Sequence, residues 1–88
     1  MNKVKCLITD IEKRVDKNQH NYWLVRTQLD EKVVRNYLAF STDYNLSPRA
    51  RSLLENYPHQ IVNKWVVLTI KEQEGDNLEK VIDLEMGK

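Results

Sequence analysis

Apolar and polar positions alternate from the start of the chain, with one slip. In VKCLITDIEKRV, residues 4–15, Val4, Cys6 and Ile8 fall on one side and Lys3, Lys5 and Thr9 on the other. The apolar phase then moves to Ile11 and Val15. A one-residue shift inside a strand marks a bulge or a bend, and a strongly curved first strand is one way to close a small barrel. DKNQHN, residues 16–21, is a polar loop. Residues 22–29 alternate strictly, Trp23, Val25, Thr27 and Leu29 against Tyr22, Leu24, Arg26 and Gln28, which predicts a half-buried strand. Asp30-Glu31-Lys32 is a short turn between antiparallel neighbours. A third strand is expected over 33–41, with Val34, Asn36, Leu38 and Phe40 on the inner face and Val33, Arg35, Tyr37 and Ala39 on the outer one.

The period then changes from two to that of a helix. In NLSPRARSLLENYP, Ser47 is placed to cap and Pro48 to occupy the first helical position, where its missing N–H costs nothing. Ala50, Leu53, Leu54 and Tyr57 follow at helical spacing, and Pro58 stops the helix after about three turns. KWVVLTIKE, residues 64–72, returns to alternation, with Val66, Leu68 and Ile70 against Trp65, Val67 and Thr69. A turn is expected at Glu74–Asn77, and a last strand over 79–86. The order β-β-β-α-β-β resembles the OB-fold, a five-stranded Greek-key barrel, with the short helix between strands three and four as in that fold. The resemblance covers nearly the whole chain, residues 1–88, taken as one domain. It is a resemblance of element order; an SH3-like barrel or an open α+β sheet shares a similar string.

Composition narrows the class. The chain has 88 residues, 41% hydrophobic and 31% charged, with two Gly and two Pro, which fits a folded domain without a low-complexity linker. The single cysteine, Cys6, permits no internal disulfide and fits a reducing compartment. The N-terminus lacks the apolar region of a signal peptide, and no apolar run has the roughly 18 residues of a membrane span. A soluble, cytoplasmic protein is therefore expected. The formal net charge is +1, which argues against binding nucleic acid through bulk charge alone. The charge is uneven, however. Residues 1–58 hold ten Lys/Arg and seven Asp/Glu, a net of +3, and residues 59–88 hold four and six, a net of −2. This places any anionic partner on the N-terminal part.

No constellation of catalytic residues stands out, and no cofactor or metal is expected. His20 and His59 lie in separate loops and make no metal spacing with Cys6. The only glycines, Gly75 and Gly87, form no phosphate-cradling loop. Asp10 and Glu12 share a face of the first strand and read as a solvated edge. Ser47 reads as a cap and not as a nucleophile.

The candidate site is a binding face. If the strands divide as above, Tyr22, Arg26, Arg35 and Tyr37 point outward together. Tyr offers a π-face to a base, and Arg both stacks and pairs with phosphate. Lys13, Arg14 and Lys17, at the end of the first strand and in its loop, continue the positive track, while Trp23 alternates into the core. The OB-fold resemblance implies that strands two and three carry the oligonucleotide face, helped by the loops after strand one and before strand five. It also implies single-stranded nucleic acid as partner, DNA ahead of RNA, with little sequence preference. Against this, Tyr and Arg also suit an exposed pleated surface with no ligand, and Glu72, Glu74, Asp76 and Glu79 would repel phosphate. The alternative is a protein-interaction or dimerisation barrel, an adaptor in a replication, conjugation or phage complex. In that reading Arg49 and Arg51, in the first helical turn where the helix dipole does not favour a cation, serve a partner. Trp65 is then either a surface anchor or a lid over one end of the barrel.

Overall fold

The first strand is long because it serves two neighbours. In the computed structural model, which describes residues 2–72 and 79–87, β1 spans Asn2–Val15. Its first half, Asn2–Leu7, pairs antiparallel with β4 (Trp65–Glu72), and Leu7–Val15 pairs antiparallel with β2 (Asn21–Gln28). The register shifts between Ile8 and Asp10, at the expected slip, so a bulge at Thr9 turns the strand from one partner to the other. Thr9 Oγ1 donates to the Arg26 carbonyl across this bulge at 3.2 Å. β2 pairs with β3 (Val34–Phe40), and β4 with β5 (Glu79–Met86), both antiparallel. A parallel contact between Leu38 and Lys80 joins β3 to β5 and closes the barrel in the order β1-β2-β3-β5-β4. With a short helix between β3 and β4, this is the OB-like Greek-key topology the element order predicts. The turn expected at Glu74–Asn77 lies outside the described residues.

The connections follow from local chemistry. Asp16 Oδ1 accepts from the backbone N–H groups of Asn18 and His20, both at 2.8 Å, and Gln19 takes a left-handed conformation with φ 64°, so the β1–β2 loop is a tight Asx-type turn. Asp30 Oδ1 does the same between β2 and β3, accepting from Lys32 N–H at 2.8 Å and Val33 N–H at 3.1 Å. Helix α1 spans Pro48–Asn56, with Ser47 as its N-cap accepting from Ala50 N–H at 3.1 Å. Pro58 ends it, as expected, and opens a second short turn, α2 (Pro58–Ile61), which contributes Ile61 to the core. Tyr57, read as part of the apolar stripe, stays exposed.

Cys6, Ile8, Trp23, Val25, Leu68 and Leu84 are among the residues that fill the barrel, and Leu46, Ala50 and Leu54 close it from the helix side. Thr27 is the polar residue among them, and its hydroxyl donates to the Arg35 carbonyl at 2.8 Å. One strand has the opposite phase to that expected. Tyr37 lies opposite Val25 and is only 2% exposed, and Ala39 lies opposite Trp23 and is fully buried. Leu38 and Phe40 take the outer side. The turn at Asp30 sets Gln28 against Val34, and that register carries every later residue of β3 with it.

Candidate functional site

The register arranges the outer surface of β1, β2 and β3 in rows. Arg14, Tyr22 and Phe40 form one row, Glu12, Leu24 and Leu38 the next, and Asp10, Arg26 and Asn36 the third. The sequence-derived candidates meet different fates on this surface. Tyr22 stands outward, its ring 5.4 Å from that of Phe40. Tyr37 is in the core and offers no face to a base. Arg26 stands outward, but its Nη1 donates to Asp10 at 2.7 Å and to Glu12 at 3.0 Å. Arg14 forks onto the same Glu12, at 3.0 and 3.2 Å, and also reaches the Tyr22 side chain. The Arg14 hydrogen bonds, followed by that of Arg26, hold the Glu12 carboxyl below its ordinary range. Arg35 lies at the start of β3 and pairs with Glu79 at 3.2 Å. Lys13 reaches back to both oxygens of Glu55 on α1, at 3.0 and 3.1 Å. Lys17, exposed in the β1–β2 turn, forms no ion pair among the described residues. The expected basic track is thus largely neutralised by the protein's own carboxylates.

What the rows bring together instead is aromatic. Phe40 stacks against Tyr22 on one side, and the Lys80 ammonium lies 5.0 Å from its ring centroid, within cation–π range. Beside them opens a groove of about 450 Å³ whose lining includes His20, Phe40, Asp43, Tyr44, Lys71 and Lys80. Tyr44 is 92% exposed on the loop between β3 and α1, and that loop is held in place. Arg51 donates to the carbonyls of Ser41 and Asp43, Asp43 N–H donates to the Phe40 carbonyl at 3.1 Å, and Leu46 is anchored in the core. His20 is placed by Asp16, whose carboxyl is lowered chiefly by the His20 backbone N–H. Phe40 was hidden from sequence reading by the phase of β3. Tyr44 carried a usable signal, an aromatic residue between Asp43 and Asn45 in a loop with no apolar period.

The remaining arginines of the helix have internal roles. Arg49 donates to Asp83 at 2.9 and 2.6 Å and to Glu85 at 2.7 Å, and Ser47 Oγ donates to the same Asp83 at 2.6 Å. The start of α1 is thereby fastened to β5. Cys6 is buried, and burial pushes its thiol up to about 11. Among the described residues no group of three or more His, Cys, Asp or Glu is arranged to hold a metal ion, and no helix is long and apolar enough to cross a membrane.

Fold and surface define the class: a small closed β-barrel of OB-like topology, with an outer face of the kind that binds a ligand or a partner. Comparison of the chain with protein-family models, with curated proteins and with solved structures finds no match to any of them.

Proposed function

We propose that this protein binds single-stranded nucleic acid, DNA ahead of RNA, without catalysing a reaction and with little sequence preference. Bases stack on Tyr22, Phe40 and Tyr44, and the phosphates run past Lys71, Lys80 and Lys17. The observation that carries this reading is the continuity of the Tyr22–Phe40 pair with a groove holding a third aromatic and two lysines. Stacking platforms beside cations are what sequence-tolerant single-strand binding requires, because every base has a π-face. The paired guanidiniums of Arg14 and Arg26 hold part of the surface charge in reserve. A lone, free thiol goes with a reducing, cytoplasmic setting.

The test is fluorescence anisotropy of labelled oligo-dT at low and physiological salt, with a duplex of equal length beside it. The expected result is a preference for the single strand that weakens with salt. Tyr22→Ala and Tyr44→Ala should each reduce affinity by about 5- to 150-fold, the equivalent of about 1–3 kcal/mol per stacked base. Equal binding of the duplex, or wild-type affinity in both variants, would overturn the reading.

A further inference from the structure

A second surface lies at the other end of β2. Gln28 lies six positions along the strand from Tyr22, about 20 Å. There the pairs Gln28–Val34, Leu7–Gln28 and Leu7–Trp65 line up a row across four neighbouring strands, Val34, Gln28, Leu7 and Trp65, all on the outer side of the barrel. Val34 is 69% exposed, Trp65 45% and Met86, at the end of β5, 48%. Trp65 thus stands on the outer side of the barrel with much of its surface open to solvent. Large apolar side chains grouped on a small domain's surface mark an interaction site, and Trp is the residue most enriched at interface hot spots.

Two grooves meet at the indole and share no other lining residue. One, of about 490 Å³, is lined by Lys5, Lys64, Trp65, Met86 and Gly87. The other, of about 310 Å³, lies toward β2 and is lined by Leu7, Gln28, Leu29, Asp30, Glu31 and Trp65. The first is basic and the second acidic. Among the described residues neither Lys5 nor Lys64 forms an ion pair, and neither does Glu31. Gly87 keeps the first groove in shape, since a Cβ there would stand 2.5 Å from the Trp65 carbonyl oxygen.

We propose that two copies of this chain dimerise about a two-fold axis at Trp65, the acidic groove of each copy facing the basic groove of the other. The charge layout selects this occupant. A two-fold operation about the indole exchanges the grooves, so the surface is complementary to itself, as an isologous interface must be. Nucleic acid would meet Asp30 and Glu31, and an acidic peptide would match only the lysine side. Association of two folded copies depends on protein concentration, so the dimer should form as concentration rises.

The test is sedimentation velocity of the full chain over a concentration series. The variants are Lys5→Glu/Lys64→Glu, whose grooves are both acidic, and Glu31→Lys, whose acidic groove is neutralised. Asp30 is left in place because it holds the β2–β3 turn. All three changes are at exposed positions, and circular dichroism confirms folding. The expected result is a wild-type dimer that forms with rising concentration, dissociation of each variant alone, and recovery of the dimer when the two variants are mixed in equal amounts. Trp65→Ala should abolish association in every mixture. A wild-type chain that stays monomeric throughout, variants that dimerise like the parent, or a mixture that stays monomeric would each overturn the proposal.

Discussion

Replacing two carboxylates should strengthen nucleic-acid binding and make it more sensitive to salt. On the outer face, Asp10 and Glu12 occupy both Arg26 and Arg14, through contacts of 2.7–3.2 Å. In Asp10→Asn/Glu12→Gln the two guanidiniums lose the neutralising charge of these partners while the shapes of the side chains are kept. If the strand passes over the Tyr22–Phe40 row, two more phosphates gain a cation. On a single strand each contributes about 0.7 to the slope of log affinity against log salt, so the slope should steepen by about 1.4. Between about 50 and 200 mM salt, the variant then loses about sevenfold more affinity than the parent. At the low-salt end it binds more tightly. The pairs are solvent-exposed and contribute little to stability, so the variant should fold normally. The assay is anisotropy of oligo-dT across a salt series. Parallel slopes for parent and variant would show that Arg14 and Arg26 do not meet the phosphates, and the proposed path of the strand would be wrong.

Three further outcomes follow from side chains inside the fold. Tyr37→Ala should cost about 3–5 kcal/mol of stability, as for other large aromatic truncations, measured by urea unfolding, and Tyr37→Phe should bind oligo-dT like the parent. Asp83→Asn should lower Tm by about 4–8 °C at neutral pH, the effect of losing about 1 kcal/mol in a domain of this size. The Asp83 carboxyl is depressed, first by the Arg49 hydrogen bonds, so its contribution is present above the ordinary carboxylate range and fades as pH falls through the folded value. Melts at acid pH should therefore bring parent and variant together. The Cys6 thiol, raised from 9.0 to about 11, should not react with a thiol reagent at mildly alkaline pH until the chain unfolds. Because the folded form keeps its proton while the unfolded form loses it, this group contributes a loss of stability as pH rises from about 9 to about 11.

The element order was legible in the sequence because each boundary has its own local chemistry. Ser47-Pro48 opens the helix, Pro58 ends it, and the phase slip between Ile8 and Ile11 places the bulge. The phase of β3 was not legible, because its two alternating sets, Val33, Tyr37 and Ala39 against Val34, Leu38 and Phe40, are about equally apolar. The decision falls to the turn at Asp30, which fixes Gln28 against Val34. A volume argument points the same way. Trp23 faces the barrel interior, and the small Ala39 suits the position opposite it better than Phe40 would. The candidate arginines were visible, but not their partners. Glu12 and Arg14 are two apart on one strand and so share a face, whereas the meeting of Arg26 with Asp10 depends on how the Thr9 bulge shifts the register.

The two proposed surfaces lie at opposite ends of β2, so a copy engaged through Trp65 would keep its aromatic groove open. This has a consequence for binding that neither surface produces alone. In a dimer, a long strand that fills one groove faces the second at high effective concentration, and avidity of about 10²–10⁴ over the single site is within reach. A short oligo-dT that fills one groove gains nothing. The expected pattern is a long-over-short preference in the parent that exceeds the number of sites, and its loss in Lys5→Glu/Lys64→Glu, while affinity for the short oligomer changes little. Both lengths are titrated by anisotropy at a protein concentration where sedimentation shows the dimer. If the variant keeps the length preference, the gain comes from several copies lining up along the strand and not from a linked pair. If it loses affinity for the short oligomer as strongly as for the long one, Lys5 and Lys64 contact the strand themselves, and the separation of the two surfaces is refuted.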